Sequence, residues 1–229
     1  MARHQGTRNR SKQSEPDDVF VAKVLEVGKW AESNQQLLTV LIVVVAVGML
    51  GLVYYRNYRS NLNMQAAGEL EQIYQSISIQ DTEGAQTQLA TFLERSAGTA
   101  YEAEARLLLG ELYLEEGSPQ QAQAVLAPLG ESPREPIEFQ AAALLGAAFE
   151  EDGQWDQAED VYLTIADRSD LEFQVRNALE AAARIRSAQG DLQGAVTLYE
   201  RLVDGMEETD PQRGLYQMRI QEIESATSA

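Results

Sequence analysis

Four alanines recur at a nearly fixed interval: Ala85, Ala122, Ala158 and Ala195 are separated by 37, 36 and 37 residues. A period of this size marks a chain built by stacking one supersecondary unit, because no single unit buries its apolar face alone. Each alanine opens the same pattern: Ala85/Leu89/Phe92, Ala122/Leu126/Leu129, Ala158/Tyr162/Ile165 and Ala195/Tyr199/Leu202. Steps of four and three place those side chains on one stripe of a helix. Five residues before three of the alanines stands a glycine, Gly117, Gly153 or Gly190, the residue that most easily ends a helix and turns the chain. Upstream comes a first helix carrying Leu109-Gly110/Tyr113, Leu145-Gly146/Phe149 or Ala182-Ala183. A mid-helix glycine costs about 1 kcal/mol against alanine, a cost that close approach of a second helix offsets. Tyr113, Phe149, Tyr162 and Tyr199 therefore read as core.

From residue 60 onward Ala, Leu, Glu, Gln and Arg dominate and nothing reads as strand. The expected fold class is all-α, with a helical domain over 60–229 and repeats at about 61–98, 100–135, 137–172 and 174–210. The first repeat is degenerate: Ile73 stands where glycine would be, and its turn is placed at Ser78–Gly84. Residues 212–225 read as a capping helix, with Leu215, Met218 and Ile223 inward and Arg219, Gln221 and Glu222 toward water.

Ahead of the array no charged residue occurs from Ser33 to Tyr55. The core of that stretch, 37–55, is apolar apart from Thr39 and the two terminal tyrosines. As a helix, such a segment spans roughly 28 Å, about a bilayer's hydrocarbon thickness. Tyr54, Tyr55, Tyr58, Arg56 and Arg59 flank one end, and Trp30 and Lys29 the other, as interfacial anchors do. The run begins too far into the chain and is too long for a cleaved signal, so it reads as a permanent single span. Residues 1–16 are polar and basic and read as a disordered tail, and 17–36 as a short amphipathic juxtamembrane helix. Lys23 and Lys29 balance Arg56 and Arg59, so the Arg3–Lys12 cluster decides orientation: N-terminus cytoplasmic, C-terminal domain outside.

Charge and residue types exclude several functions. Residues 60–229 hold ten Arg, no Lys and 31 Asp and Glu, the reverse of a nucleic-acid footprint. With no cysteine and a lone His4, the sequence offers no thiolate or multi-histidine metal site and no histidine base. No phosphate loop, G-x-S-x-G or H-E-x-x-H motif occurs, so the expectation is no enzyme, no cofactor and no metal. The carboxylate runs Glu115–Glu116, Glu150–Glu151–Asp152 and Glu207–Glu208 read as solvated surface.

The Leu-Gly, aromatic, Gly, then Ala-x-x-x-aromatic pattern resembles the tetratricopeptide repeat, and implies an N-terminal transmembrane helix followed by an α-solenoid of that kind. The resemblance implies a binding face on the concave side, made by the first helices. It would show Glu104, Leu107, Glu111, Leu114 and Glu115, then Gln140, Ala143, Ala147 and Glu150, then Asn177, Glu180, Arg184 and Ser187. Repeats that clamp a C-terminal carboxylate present Lys, Asn and Arg there. This face is acidic or apolar and fits extended segments with apolar and basic residues better.

The whole layout resembles the YfgM-like ancillary subunits of the Sec translocon, most of all over VLEVGKWAESNQQLLTVLIVVVAVGMLGLVYYRNYR. That resemblance implies a bacterial inner-membrane adaptor facing the periplasm. Its partners would be the translocon, periplasmic chaperones or emerging polypeptides. The alternative is a scaffold subunit of another envelope process, cytochrome maturation or cell-division coordination.

Overall fold

The computed structural model describes Glu32 and residues 34–227. These residues form helices and turns, with no strand among them. The tail at 1–16, most of the helix expected at 17–36, Lys29 and Trp30 lie outside the described residues. The chain divides into two compact units, Met1–Tyr58 and Arg59–Ala229.

Helix α1 runs Gln35–Ser78. It is long and apolar enough to cross a membrane, by length and composition. In the first unit its apolar side chains stand exposed around the helix; Leu50, for instance, is 70% exposed. Lipid accommodates an all-round apolar surface of this kind, and a helix satisfies its own backbone there.

The second unit takes in the last turns of α1 and eight further helices among the described residues: α2 (Thr82–Arg95), α3 (Glu102–Glu115), α4 (Pro119–Gly130), α5 (Pro136–Glu151), α6 (Trp155–Arg168), α7 (Glu172–Gln189), α8 (Leu192–Asp204) and α9 (Arg213–Thr227). From α2 onward each helix packs on its successor, and α3 also packs on α5. That is the nearest-neighbour stacking of a solenoid. All four recurring alanines are fully buried, as are Leu89 and Leu126 one turn further on.

The turns follow from backbone chemistry. Gly117, Gly153 and Gly190 have φ of 74°, 73° and 84°, where a Cβ would be strained. The first turn reaches the same conformation with a non-glycine: Gln80, five residues before Ala85, has φ 64°. This turn is shorter than the expected Ser78–Gly84. Asp81 caps α2 by accepting the Gly84 N–H at 3.1 Å, which draws Gly84 into the first turn of the helix.

Glycine inside the helices sets the approach of their neighbours. An ideal Cβ on Gly110 would lie 2.6 Å from Leu126, and one on Gly146 would lie 2.7 Å from the Tyr162 ring. Polar contacts repeat with the same period, at the residue after three of the four alanines. Gln86 Nε2 donates to the Leu112 carbonyl and to Glu116, and Gln123 Nε2 donates to the Ala148 carbonyl and to Asp152. In the next unit Glu159 takes that place and accepts from Arg186 Nε at 2.7 Å. At the head of the unit Arg59 donates to the Gly98 carbonyl, and Asn63 Oδ1 accepts the Ala100 N–H.

The buried side chains form two clusters. One joins Ala66, Leu70 and Ile73 of α1 to Ala85, Leu89 and Phe92 of α2 and to Ala105, Leu109 and Leu112 of α3. The other runs from Ala122 to Tyr216, and Tyr113 and Val125 pack against both.

Helix α9 corrects one expectation. Tyr216 is its buried residue, with Ile220 and Ile223 packed beside it, while Leu215 and Met218 are exposed. The spacing 216/220/223 makes a stripe that shares Ile223 with the expected face but turns Leu215 and Met218 outward. The Tyr216 ring stacks on Tyr199 with centroids 6.1 Å apart, and this aromatic contact fixes the helix's rotation.

Candidate functional site

The face expected to bind partners is carried by α3, α5 and α7, and every residue assigned to it remains at least partly accessible. Glu111, Glu115, Gln140, Ala143, Asn177, Glu180 and Arg184 are exposed. Glu104, Ala147, Glu150 and Ser187 are half-buried, and Leu107 and Leu114 are half-buried because they pack against the second core cluster.

Tyrosine hydroxyls organise the carboxylates of this face. Tyr74, on α1, donates to Glu104 Oε1 at 2.5 Å. Tyr162, on α6, donates to Glu150 Oε1 at 2.8 Å, and Tyr216, on α9, donates to Glu180 Oε2 at 2.8 Å. Gly146 makes the middle contact possible: with no Cβ in the way, the Tyr162 ring lies against α5 and its hydroxyl reaches the carboxylate one turn further on. Arg184 Nη2 closes the group by donating to both Glu150 oxygens at 2.9 and 3.0 Å, tying α5 to α7.

The electrostatics follow from these contacts. Burial, then the hydrogen bond to Glu104, pushes the Tyr74 phenol up to about 12, and burial with the bond to Glu180 does the same for Tyr216. Tyr162 is raised further, by burial first and by Glu150 second. These hydroxyls stay protonated and donate at neutral pH. Burial, and then the charge of Glu115, raises Glu111 above the usual carboxylate range.

The structure brings Glu150 and Arg184 together and sets Glu111 near Glu115, whereas Gln140 and Asn177 have no side-chain partner among the described residues. Three acids expected to be solvated are engaged instead, and the first, Glu116, accepts from Gln86 Nε2 at 2.9 Å. The Glu150 side chain is only 17% exposed in its pair with Arg184, and Asp152 accepts from Gln120, Gln123 and Gln154. Glu150 and Asp152 stand where α5 ends against side chains of the preceding and following helices, so neighbouring units cover them. Sequence reasoning missed the tyrosine hydroxyls. The available signal was that a tyrosine on a core stripe needs a partner for its O–H. Among the described residues no group of His, Cys, Asp or Glu has the arrangement of a metal site.

Comparison with known families gives a match over residues 28–225 to the tetratricopeptide repeat-like domain. Domains of that description are generally non-catalytic modules for protein–protein interaction. No curated protein matches the chain.

Proposed function

The chain belongs to the tetratricopeptide repeat-like family, and from that premise we propose that it is a membrane-anchored adaptor. Its N-terminus lies in the cytoplasm, one span crosses the bacterial inner membrane, and the repeat domain holds partner proteins in the periplasm. The partners are the Sec translocon together with periplasmic chaperones or emerging polypeptides, as the resemblance of the layout implies.

One observation carries the reading. The same chain holds a helix of spanning length and apolarity and a repeat domain whose first-helix face leaves Gln140 and Asn177 unpartnered. Free amide groups on an exposed face offer donors and acceptors to the backbone of an extended segment. The carboxylates Glu104, Glu111, Glu115 and Glu180 favour basic side chains on it.

The test is cross-linking in intact cells from a photoreactive group at Ala143, followed by purification in mild detergent. Translocon subunits, chaperones or secretory chains joined to Ala143 are the expected products. Cytochrome-maturation or cell-division components there would transfer the adaptor to that assembly. Products formed equally well from a photoreactive group at the buried Ala158 would show that the face is not the contact surface.

A further inference from the structure

A second surface lies at the loops that bound α7 and α8. Where α6 gives way to α7, and α8 to α9, the chain encloses a cleft of about 600 Å³, within the size range of ligand-binding pockets. Its floor is apolar: Val175 and Leu179 from α7, Leu202 from α8, and Met206 from the loop that follows. Leu179 and Leu202 are nearly fully buried by the array itself, while Val175 and Met206 are half-buried.

The rim decides what this floor would accept. Both cations that line the cleft are already engaged. Arg176 pairs with Asp210 at 3.4 Å and donates to Gln212, and Arg201 pairs with Asp167 at 2.7 Å and donates to the Ala166 carbonyl. The carboxylates of Asp170, Glu172 and Glu207 also line the cleft, are exposed, and have no partner among the described residues. An apolar floor inside a rim whose unengaged charges are all negative complements an apolar side chain flanked by cations.

We propose that this cleft binds a short extended peptide segment in which an apolar side chain alternates with Lys or Arg: the apolar group sits on Leu179, Leu202 and Met206, and the cations face Asp170, Glu172 and Glu207. A peptide fits better than a small organic cation because Asp170 with Glu172 stands at one border of the cleft and Glu207 at the other, and successive cations along one chain can each meet one of them. The site is additional to the first-helix face and stands or falls separately from it.

The experiment uses the full chain in detergent and an acetylated, fluorescein-labelled Val-Arg-Val-Arg-Val peptide, with empty micelles as the blank, read by fluorescence anisotropy. Binding is expected to weaken about tenfold when Asp170→Lys and Glu207→Lys are combined, and by a smaller factor for Asp170→Asn with Glu207→Gln, because each exposed pair contributes modestly. Val-Glu-Val-Glu-Val and Gly-Arg-Gly-Arg-Gly are both expected to bind more weakly than the parent peptide. Glu83→Lys with Glu94→Lys, exposed on α2 and outside both surfaces, should leave the affinity unchanged. Loss of binding in Glu111→Lys with Glu115→Lys, with the cleft variants unaffected, would put the peptide on the first-helix face and overturn the inference while leaving the adaptor reading in place. Absence of binding by the unmodified chain, or equal affinity for Gly-Arg-Gly-Arg-Gly, would overturn it as well.

Discussion

Replacing Gly146 by alanine tests whether the array is held by the close approach of its helices. In isolation the change is favourable, since alanine is better than glycine inside a helix by about 1 kcal/mol. In the structure the new methyl carbon would stand 2.7 Å from Cε1 and Cζ of Tyr162 and 3.2 Å from Cδ1. The ring has little room to retreat: Tyr162 is 7% exposed and its hydroxyl is held by Glu150 at 2.8 Å. Overpacking of this kind costs about 1–3 kcal/mol, so Gly146→Ala should lower stability by up to about 2 kcal/mol net of the propensity gain. Gly68 is the control. It lies in α1 with nothing within 4 Å of an added Cβ, and Gly68→Ala should stabilise by about 1 kcal/mol. The assay is urea unfolding of a fragment from Arg59 to Ala229 followed by helical circular dichroism, with the slope compared between variants. In a Tyr162→Ala background the obstruction is gone, and Gly146→Ala should reverse sign to a gain of about 1 kcal/mol. If Gly146→Ala stabilised the unmodified fragment as much as Gly68→Ala does, the close-approach argument would be refuted.

Four further outcomes are expected. Gln80→Gly relieves a left-handed residue at φ 64° and should stabilise by about 1 kcal/mol in the same urea assay; no gain would mean that the turn does not strain Gln80. Ala158→Glu puts a charge at a position with no exposure and should cost on the order of 3 kcal/mol or more, whereas the exposed Glu151→Ala should stay within about 0.5 kcal/mol. The phenols of Tyr74 and Tyr216 are raised from 10.0 to about 12, so their contribution is full below pH 10 and lost as pH rises through about 12. The urea midpoint should therefore fall across that window, and fall less in Tyr74→Phe with Tyr216→Phe. Finally, the full chain should stay with membranes through an alkaline carbonate wash while a chain lacking 1–59 is soluble, and release of the full chain would remove the span.

The repeat architecture was legible because its signal lies in positions that the core depends on. Ala85, Ala122, Ala158 and Ala195 are each fully buried, and Gly110 and Gly146 each face a side chain of the following helix. Periodicity finds such residues because the same packing problem recurs in every unit. What escaped were choices made between helices. The stripe on α9 was assigned by apolarity, which favours Leu215 and Met218, but tyrosine stacking with Tyr199 turned Tyr216 inward. The acidic runs were read from composition, which cannot show that Glu150 meets Arg184 some 34 residues away. On the candidate face the accessible positions could be placed from the pattern, whereas the hydroxyls of Tyr74, Tyr162 and Tyr216 reach it from helices outside that face.

The division of the buried side chains into two clusters, met from both sides by Tyr113 and Val125, has a consequence for cooperativity. In a stacked array, stability is a sum of unit terms and neighbour interfaces. Leu107 and Leu114 of α3 add to that junction by packing on the second cluster, yet the two sets of buried side chains share no member, so cooperative unfolding should divide there. Amide protons of α2 should then exchange with solvent through a local opening that leaves α5 to α8 protected, rather than through unfolding of the whole array. Such a chain is less a rigid rod than two foldons sharing α3, and a force or a partner acting on one of them can melt it while the other keeps its shape.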